Sequence, residues 1–99
     1  MVSTQVIIEF VRRSPLESHA LDELADACIE ALNRDARFVA FGPVVSVDYS
    51  RNALEVECTV CAEEEDQVDG IIDRIGEIVH GALAATDYAT SAERILISA

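Results

Sequence analysis

Lysine is absent from this 99-residue chain, and all seven of its basic residues are arginines. Without a lysine amine, Schiff-base chemistry is excluded, as is any amine nucleophile other than the N-terminus. Tryptophan is also absent, and the aromatic side chains amount to three phenylalanines and two tyrosines. The chain therefore has few rings on which the bases of an RNA can stack.

Long hydrophobic runs are missing as well. The two longest contain four residues each, at 38–41 and 82–85, whereas a membrane-spanning helix needs about 20. Residues 1–5 carry no basic charge and lead directly into a strand-like run, so they do not resemble a secretory signal. We expect a cytoplasmic protein that has no membrane partner.

Acidic residues dominate the charge. Nineteen carboxylates against seven arginines give a formal net charge of −12, which repels nucleic acid and anionic lipid. Hydrophobic residues make up 51% of the chain, enough to form a core rather than a disordered segment. The length fits one domain spanning residues 1–99.

The N-terminal third predicts a strand followed by a helix. Val6, Ile8 and Phe10 alternate with other residues in the period of two that is typical of a strand, which we place at 5–12. The segment 14–17, Ser-Pro-Leu-Glu, combines an N-cap hydroxyl, a proline at the first helical position and a glutamate three residues after the cap. A helix is therefore expected from this segment to about Asn33.

The middle of the chain predicts a β-hairpin. Apolar residues alternate on both sides of Arg51-Asn52, which we take as a two-residue loop. In that register the core-facing residues oppose each other in three pairs: Tyr49 with Leu54, Val47 with Val56, and Val45 with Cys58. Residues 34–41, which precede the hairpin, show no clear period and predict no element.

The C-terminal third predicts a second helix and a last strand. An apolar stripe at helical spacing begins after the acidic run 63–66 and continues to about Ala85, and a strand lies somewhere within 89–98. The order βαββαβ resembles the ferredoxin-like superfold. That resemblance implies an α+β domain with a four-stranded antiparallel sheet of order 4-1-3-2 and two helices on one face.

No pattern in the chain predicts a metal, a cofactor or a catalytic group. Cys58 and Cys61 have the spacing of a ligand pair, but on a strand they point to opposite faces, and no second pair completes a zinc site. We expect Cys28 and Cys58 in the core and Cys61 on the open face or at the strand end. Because no acid–base pair is predicted in contact, the sequence favours a non-enzymatic function.

The sheet face that the helices leave open is the expected interaction surface. The predicted register sets Asp48 opposite Glu55 and brings Glu9 close by, and like charges that face each other across strands destabilise a sheet. Arg94 is the expected counter-charge. The expected interface residues are Ile7, Glu9, Val11, Val44, Glu55, Glu57 and Leu96. Such a mixture of apolar and acidic groups favours an interaction or regulatory domain that forms a homodimer through this face, with a basic protein partner as the alternative.

Two alternatives stay open. One is a sensor for a small anionic metabolite, bound where the first helix begins by Arg12, Arg13, Arg51 and Asn52. The other is a cofactor-independent enzyme whose proton carriers are Tyr49, His19 and His80. Ligand-sensing ACT-type domains and dimeric cofactor-free monooxygenases share this element order and commonly pair through their sheets, but the chain carries the sequence signature of neither.

The predicted faces of the hairpin can be tested by two neighbouring substitutions. Val56→Asp places an unpaired charge in the core and should abolish cooperative unfolding. Glu57→Ala changes the open face and should move the free energy of unfolding by less than about 1 kcal/mol. Urea denaturation followed by circular dichroism measures both effects, and a larger loss from Glu57→Ala would invert the assignment.

Overall fold

The computed structural model describes residues 2–13, 18–83 and 88–98. Its elements in chain order are β1 (Val2–Arg12), α1 (Ser18–Asn33), α2 (Ala36–Val39), β2 (Val44–Asp48), β3 (Ala53–Ala62), α3 (Glu65–Leu83) and β4 (Tyr88–Ser98). The proposed helix cap at 14–17 lies outside the described residues. Among the described helices, none combines the length and the apolar content that crossing a bilayer requires.

The strands form one antiparallel sheet of order β2-β3-β1-β4. Helices α1 and α3 pack against each other and against one face of this sheet. The expected α+β architecture and its strand order are therefore confirmed. Strand β1 begins at Val2, three residues earlier than the sequence suggested.

Strand β1 is the centre of the fold because it pairs with both β3 and β4. Its even-numbered residues Val6, Ile8 and Phe10 are at most 1% exposed, while the odd-numbered residues between them are half-buried on the opposite face. Under the helices, these three side chains join apolar residues from α1, α3 and β3 in one core cluster. The alternation seen in the sequence thus separates a packed face from an open one.

The helix α2 is an element that no pattern in the sequence predicts. It has only four residues, and it begins where the carboxylate of Asp35 accepts a hydrogen bond of 3.0 Å from the backbone N–H of Arg37. Phe38 is buried in the core and makes an edge-to-face contact with Phe41. The Asp35 cap and the buried Phe38 ring stabilise this turn. Neither contributes to an apolar repeat of helical spacing in the sequence.

The hairpin register differs from the predicted one. Val47 pairs with Leu54 and Val45 pairs with Val56, so β2 is displaced by two residues along β3 and every side chain keeps its predicted face. The loop has four residues, 49–52, because the Asp48 carboxylate accepts hydrogen bonds from Ser50 and Arg51. Asn52 closes the loop in the left-handed region at a φ of 55°, which asparagine tolerates.

Tyr49 consequently lies in the loop and not in the core. Its side chain is 53% exposed, and its hydroxyl donates a hydrogen bond to the carboxylate of Asp22 on α1. This bond stabilises the protonated phenol and raises the pKa of Tyr49. The predicted pairing of Tyr49 with Leu54 was therefore wrong.

Glycines in α3 offer a test of its packing. A Cβ built at Gly76 or Gly81 meets no atom within 4 Å, so neither glycine is required by a close approach. Gly76→Ala and Gly81→Ala should each raise the free energy of unfolding by about 1 kcal/mol, because alanine is the better helix former. Thermal denaturation followed by circular dichroism measures this gain.

Gly42→Ala is the matched control. Gly42 has a φ of 62°, a conformation that costs other residues about 1–2 kcal/mol. This variant should be less stable than the wild type. A gain from Gly42→Ala, or a loss from the two helix variants, would contradict the packing described.

The three cysteines should differ in reactivity. Cys28 and Cys58 are buried, and burial raises the pKa of each thiol to about 11; Cys61 is exposed. Iodoacetamide at pH 8 should therefore add one adduct to the native protein, on Cys61, since roughly 0.1% of a thiol with such a pKa is ionised. Mass spectrometry counts the adducts, and three are expected in denaturant. A doubly labelled native protein would contradict this burial.

Candidate functional site

Four glutamates occupy the middle of the open sheet face. The strand registers combine into two adjacent rows across the sheet. One row is Val44, Glu57, Ile7 and Glu93, and the next is Ser46, Glu55, Glu9 and Ser91. Directly opposed residues in a sheet have Cβ atoms about 5 Å apart. The acidic centre, as we call Glu9, Glu55, Glu57 and Glu93, thus surrounds the half-buried Ile7.

The like-charged pair on this face is Glu9 and Glu55, and not the predicted pair of Asp48 and Glu55. Arg51 partly compensates the repulsion between these two carboxylates. From the hairpin loop, its guanidinium donates two hydrogen bonds to Glu9, one of them 2.6 Å long, and leaves the Glu9 side chain 20% exposed. Neighbouring Glu9, Asp48 and Glu55 together raise the pKa of Arg51.

Arg94 does not belong to the open face. The register pairs it with Val6, whose side chain lies in the core, so Arg94 is on the helix side of β4 and forms an ion pair with Asp69 on α3. The expectation that Arg94 neutralises Glu9 was therefore wrong. Leu96 is paired with Thr4, a buried residue on the core side of β1, and Ile95 is the residue opposite Gln5. The side chain of Leu96 is not among those that the structure describes.

Apolar side chains surround the acidic centre. Val44, Ile95 and Ile97 are 46–59% exposed, and Val11, one row beyond Glu9, is half-buried. At the centre, a shallow depression of ≈ 280 Å³ is lined by Ile7, Glu9, Glu55, Ser91, Ala92 and Glu93. The face therefore offers carboxylates above an apolar floor, with further apolar groups at its margin.

The proposed anion-binding edge is only partly assembled. Arg12 and Asn52 are held together, because the Arg12 N–H donates to the Asn52 carbonyl at 3.0 Å and the Asn52 side-chain amide donates to the Arg12 carbonyl at 3.4 Å. Arg13 is exposed. Arg51, however, is directed to Glu9 on the open face. The segment at which an anion was expected, 14–17, lies outside the described residues.

Two of the three residues considered as proton carriers, Tyr49 and His80, have structural partners. His80 is half-buried: its ring meets Phe10 edge-on with the ring centroids 5.5 Å apart, and its Nε2 lies 3.2 Å from the Thr90 hydroxyl. Tyr49 is bonded to Asp22. The His19 side chain lies outside the described part. Among the described residues, no group of three or more His, Cys, Asp or Glu is arranged to hold a metal ion.

A second concave surface was not foreseen from the sequence. It is a cleft of ≈ 470 Å³ between α2, the end of β3 and the first half of α3. Its charged lining residues are Arg37 and Arg74. The cleft depends on α2, and residues 34–41 have no helical period from which that helix, and with it the cleft, could have been located.

No protein-family model matches the chain, and no curated protein matches it. Two designed proteins are similar to it in structure. One is the de novo designed protein LFR1 1 with ferredoxin fold, with a TM-score of 0.57, 16% identity, and coverage of 100% of this chain and 88% of that one. The other is the de novo designed protein Foldit4, with a TM-score of 0.52, 12% identity, and coverage of 95% and 94%. At these identities the likeness shows the ferredoxin-like fold and nothing about function.

Proposed function

We propose that this protein is a non-enzymatic interaction domain that binds a basic protein segment on the open face of its sheet. The observation that carries the proposal is the acidic centre around Ile7, on a face that no described element covers. Four carboxylates placed in neighbouring rows repel one another, and the hydrogen bonds from Arg51 to Glu9 and from Gln5 to Glu57 offset this repulsion only in part. A partner that brings cationic groups removes this repulsion on binding.

The depression at the centre has the chemistry of a site for an arginine or lysine side chain. Such a side chain has an apolar stem and a cationic head. The stem fits on Ile7, and the head lies within reach of Glu55 and Glu93. Charge-assisted hydrogen bonds to carboxylates are about twice as strong as neutral ones, so one anchoring residue supplies both affinity and register.

Self-association through the same face is the second candidate. The exposed apolar residues Val44, Ile95 and Ile97 favour it, because their burial in a dimer contributes about 25 cal/mol per Å² before association costs. In a dimer through this face, however, the two acidic centres would face each other, and the Arg51 that each copy contributes is already paired with Glu9. The charge arrangement therefore favours a basic partner over a second copy.

Salt dependence distinguishes the two candidates. A labelled peptide of alternating arginine and isoleucine should bind at about 0.05 M salt and be released at about 0.5 M, because salt screens the attraction. A dimer should instead become tighter as salt screens the repulsion between subunits. Fluorescence anisotropy of the peptide and sedimentation of the protein alone measure these two trends.

Paired substitutions test whether the acidic centre is the site. Glu55→Gln with Glu93→Gln should weaken peptide binding about tenfold or more. The control Glu23→Gln with Glu30→Gln, on the exposed surface of α1, changes the net charge equally and should weaken it less than about twofold. Equal losses in both variants would show binding to net charge alone and would refute a specific site.

A further inference from the structure

We infer that the cleft between α2 and α3 is a binding site for a small carboxylate that has an apolar body. It is a different surface from the acidic centre, and the inference does not depend on the proposed function. The cleft lies above the end of β3, where the Phe41 carbonyl accepts a hydrogen bond of 3.0 Å from the Thr59 N–H. This bond holds the segment after α2 against the sheet and so positions one wall of the cleft.

The wall and floor of the cleft are apolar. Phe38 and Phe41 form one side as an edge-to-face pair with ring centroids 6.2 Å apart, and Ala62 and Ile71 contribute from β3 and α3. Gly70 leaves the helix side open, since a Cβ built there meets no atom within 4 Å. A volume of ≈ 470 Å³ falls within the range of about 300–1,000 Å³ that small-molecule sites occupy.

The charge of the lining selects an anion. Arg37 and Arg74 line the cleft, whereas their carboxylate partners Asp35 and Glu77 do not. Two cationic groups at one cleft are notable in a chain of net charge −12. The guanidinium of Arg37 also lies over the ring of Phe38, 5.5 Å from its centroid. The cleft therefore presents a cationic group directly beside an apolar ring.

Both arginines keep N–H donors for a ligand. Each guanidinium has five; Asp35 accepts from two nitrogens of the Arg37 side chain, and Glu77 accepts from one of Arg74. Both arginines and Glu77 are more than half exposed, and Asp35 is partly exposed; pairs at the surface contribute at most about 1 kcal/mol. A ligand carboxylate therefore adds to or replaces them at little cost, while its apolar body is buried between Phe41 and Ile71.

Octanoate is a suitable probe at pH 7, with octanol and acetate as controls that lack the charge or the apolar body. In a titration followed by amide chemical shifts, octanoate should perturb Gly70, Ile71 and Ala62 and leave Glu9 and Glu55 unchanged. Arg37→Gln with Arg74→Gln should weaken octanoate binding about tenfold or more. Octanol binding as tightly as octanoate would overturn the inference.

A steric variant supplies an independent check. Gly70→Leu places a side chain in the cleft and should abolish octanoate binding, while the helix is retained because leucine favours it more than glycine does. Gly81→Leu, on an exposed turn of the same helix, is the matched control and should bind octanoate like the wild type. Unchanged binding by folded Gly70→Leu protein, or shifts confined to the open face, would refute the cleft as the site.

Discussion

The coverage of only one sheet face by helices is the constraint on which the rest of the structure depends. α1 and α3 pack over the side chains of Val6, Ile8 and Phe10 from the central strand. Burial of this face drives folding, since each fully buried aliphatic or aromatic side chain contributes about 1.5–3 kcal/mol. The residues of the opposite face do not have to pack under helices, so polar and charged side chains are compatible with folding there. That freedom is why the acidic centre can exist there.

The architecture follows from local patterns that the sequence displays. Alternation in β1 and the apolar stripes of the two long helices determine which side chains are buried, and this is enough to define the layers and the element order. The hairpin register is set instead by Asp48, whose carboxylate accepts hydrogen bonds from the loop. A loop of two or of four residues preserves the same faces, so hydrophobic pattern alone does not separate the two registers.

The charged groups were harder to place than the core. Whether Arg94 belongs to the open face or the helix side depends on the pairing of β1 with β4, strands that lie far apart in the sequence, and a shift of one residue reverses the face. Arg51, and not Arg94, forms the ion pair with Glu9, because the longer hairpin loop brings Arg51 over the sheet. The acidic residues Glu9, Glu55 and Glu57 were predicted on the correct face, since their own strands alternate clearly. The cleft was missed because α2 is held by a cap and one buried ring.

The acidic centre and the cleft beside α2 differ in the range of the forces that act there. At the acidic centre the local charge has the same sign as the net charge of −12, so at low ionic strength, where the Debye length is about 30 Å in 0.01 M salt, a basic partner is attracted over a distance and guided to the face. At the cleft, Arg37 and Arg74 have neighbouring carboxylates, and the net charge of the chain repels an anion at a distance. An anionic ligand there must gain its affinity at contact, from guanidinium hydrogen bonds and from burial against Phe38 and Phe41. An apolar body is therefore as necessary to that ligand as its carboxylate, and a small inorganic anion lacks one of the two contributions.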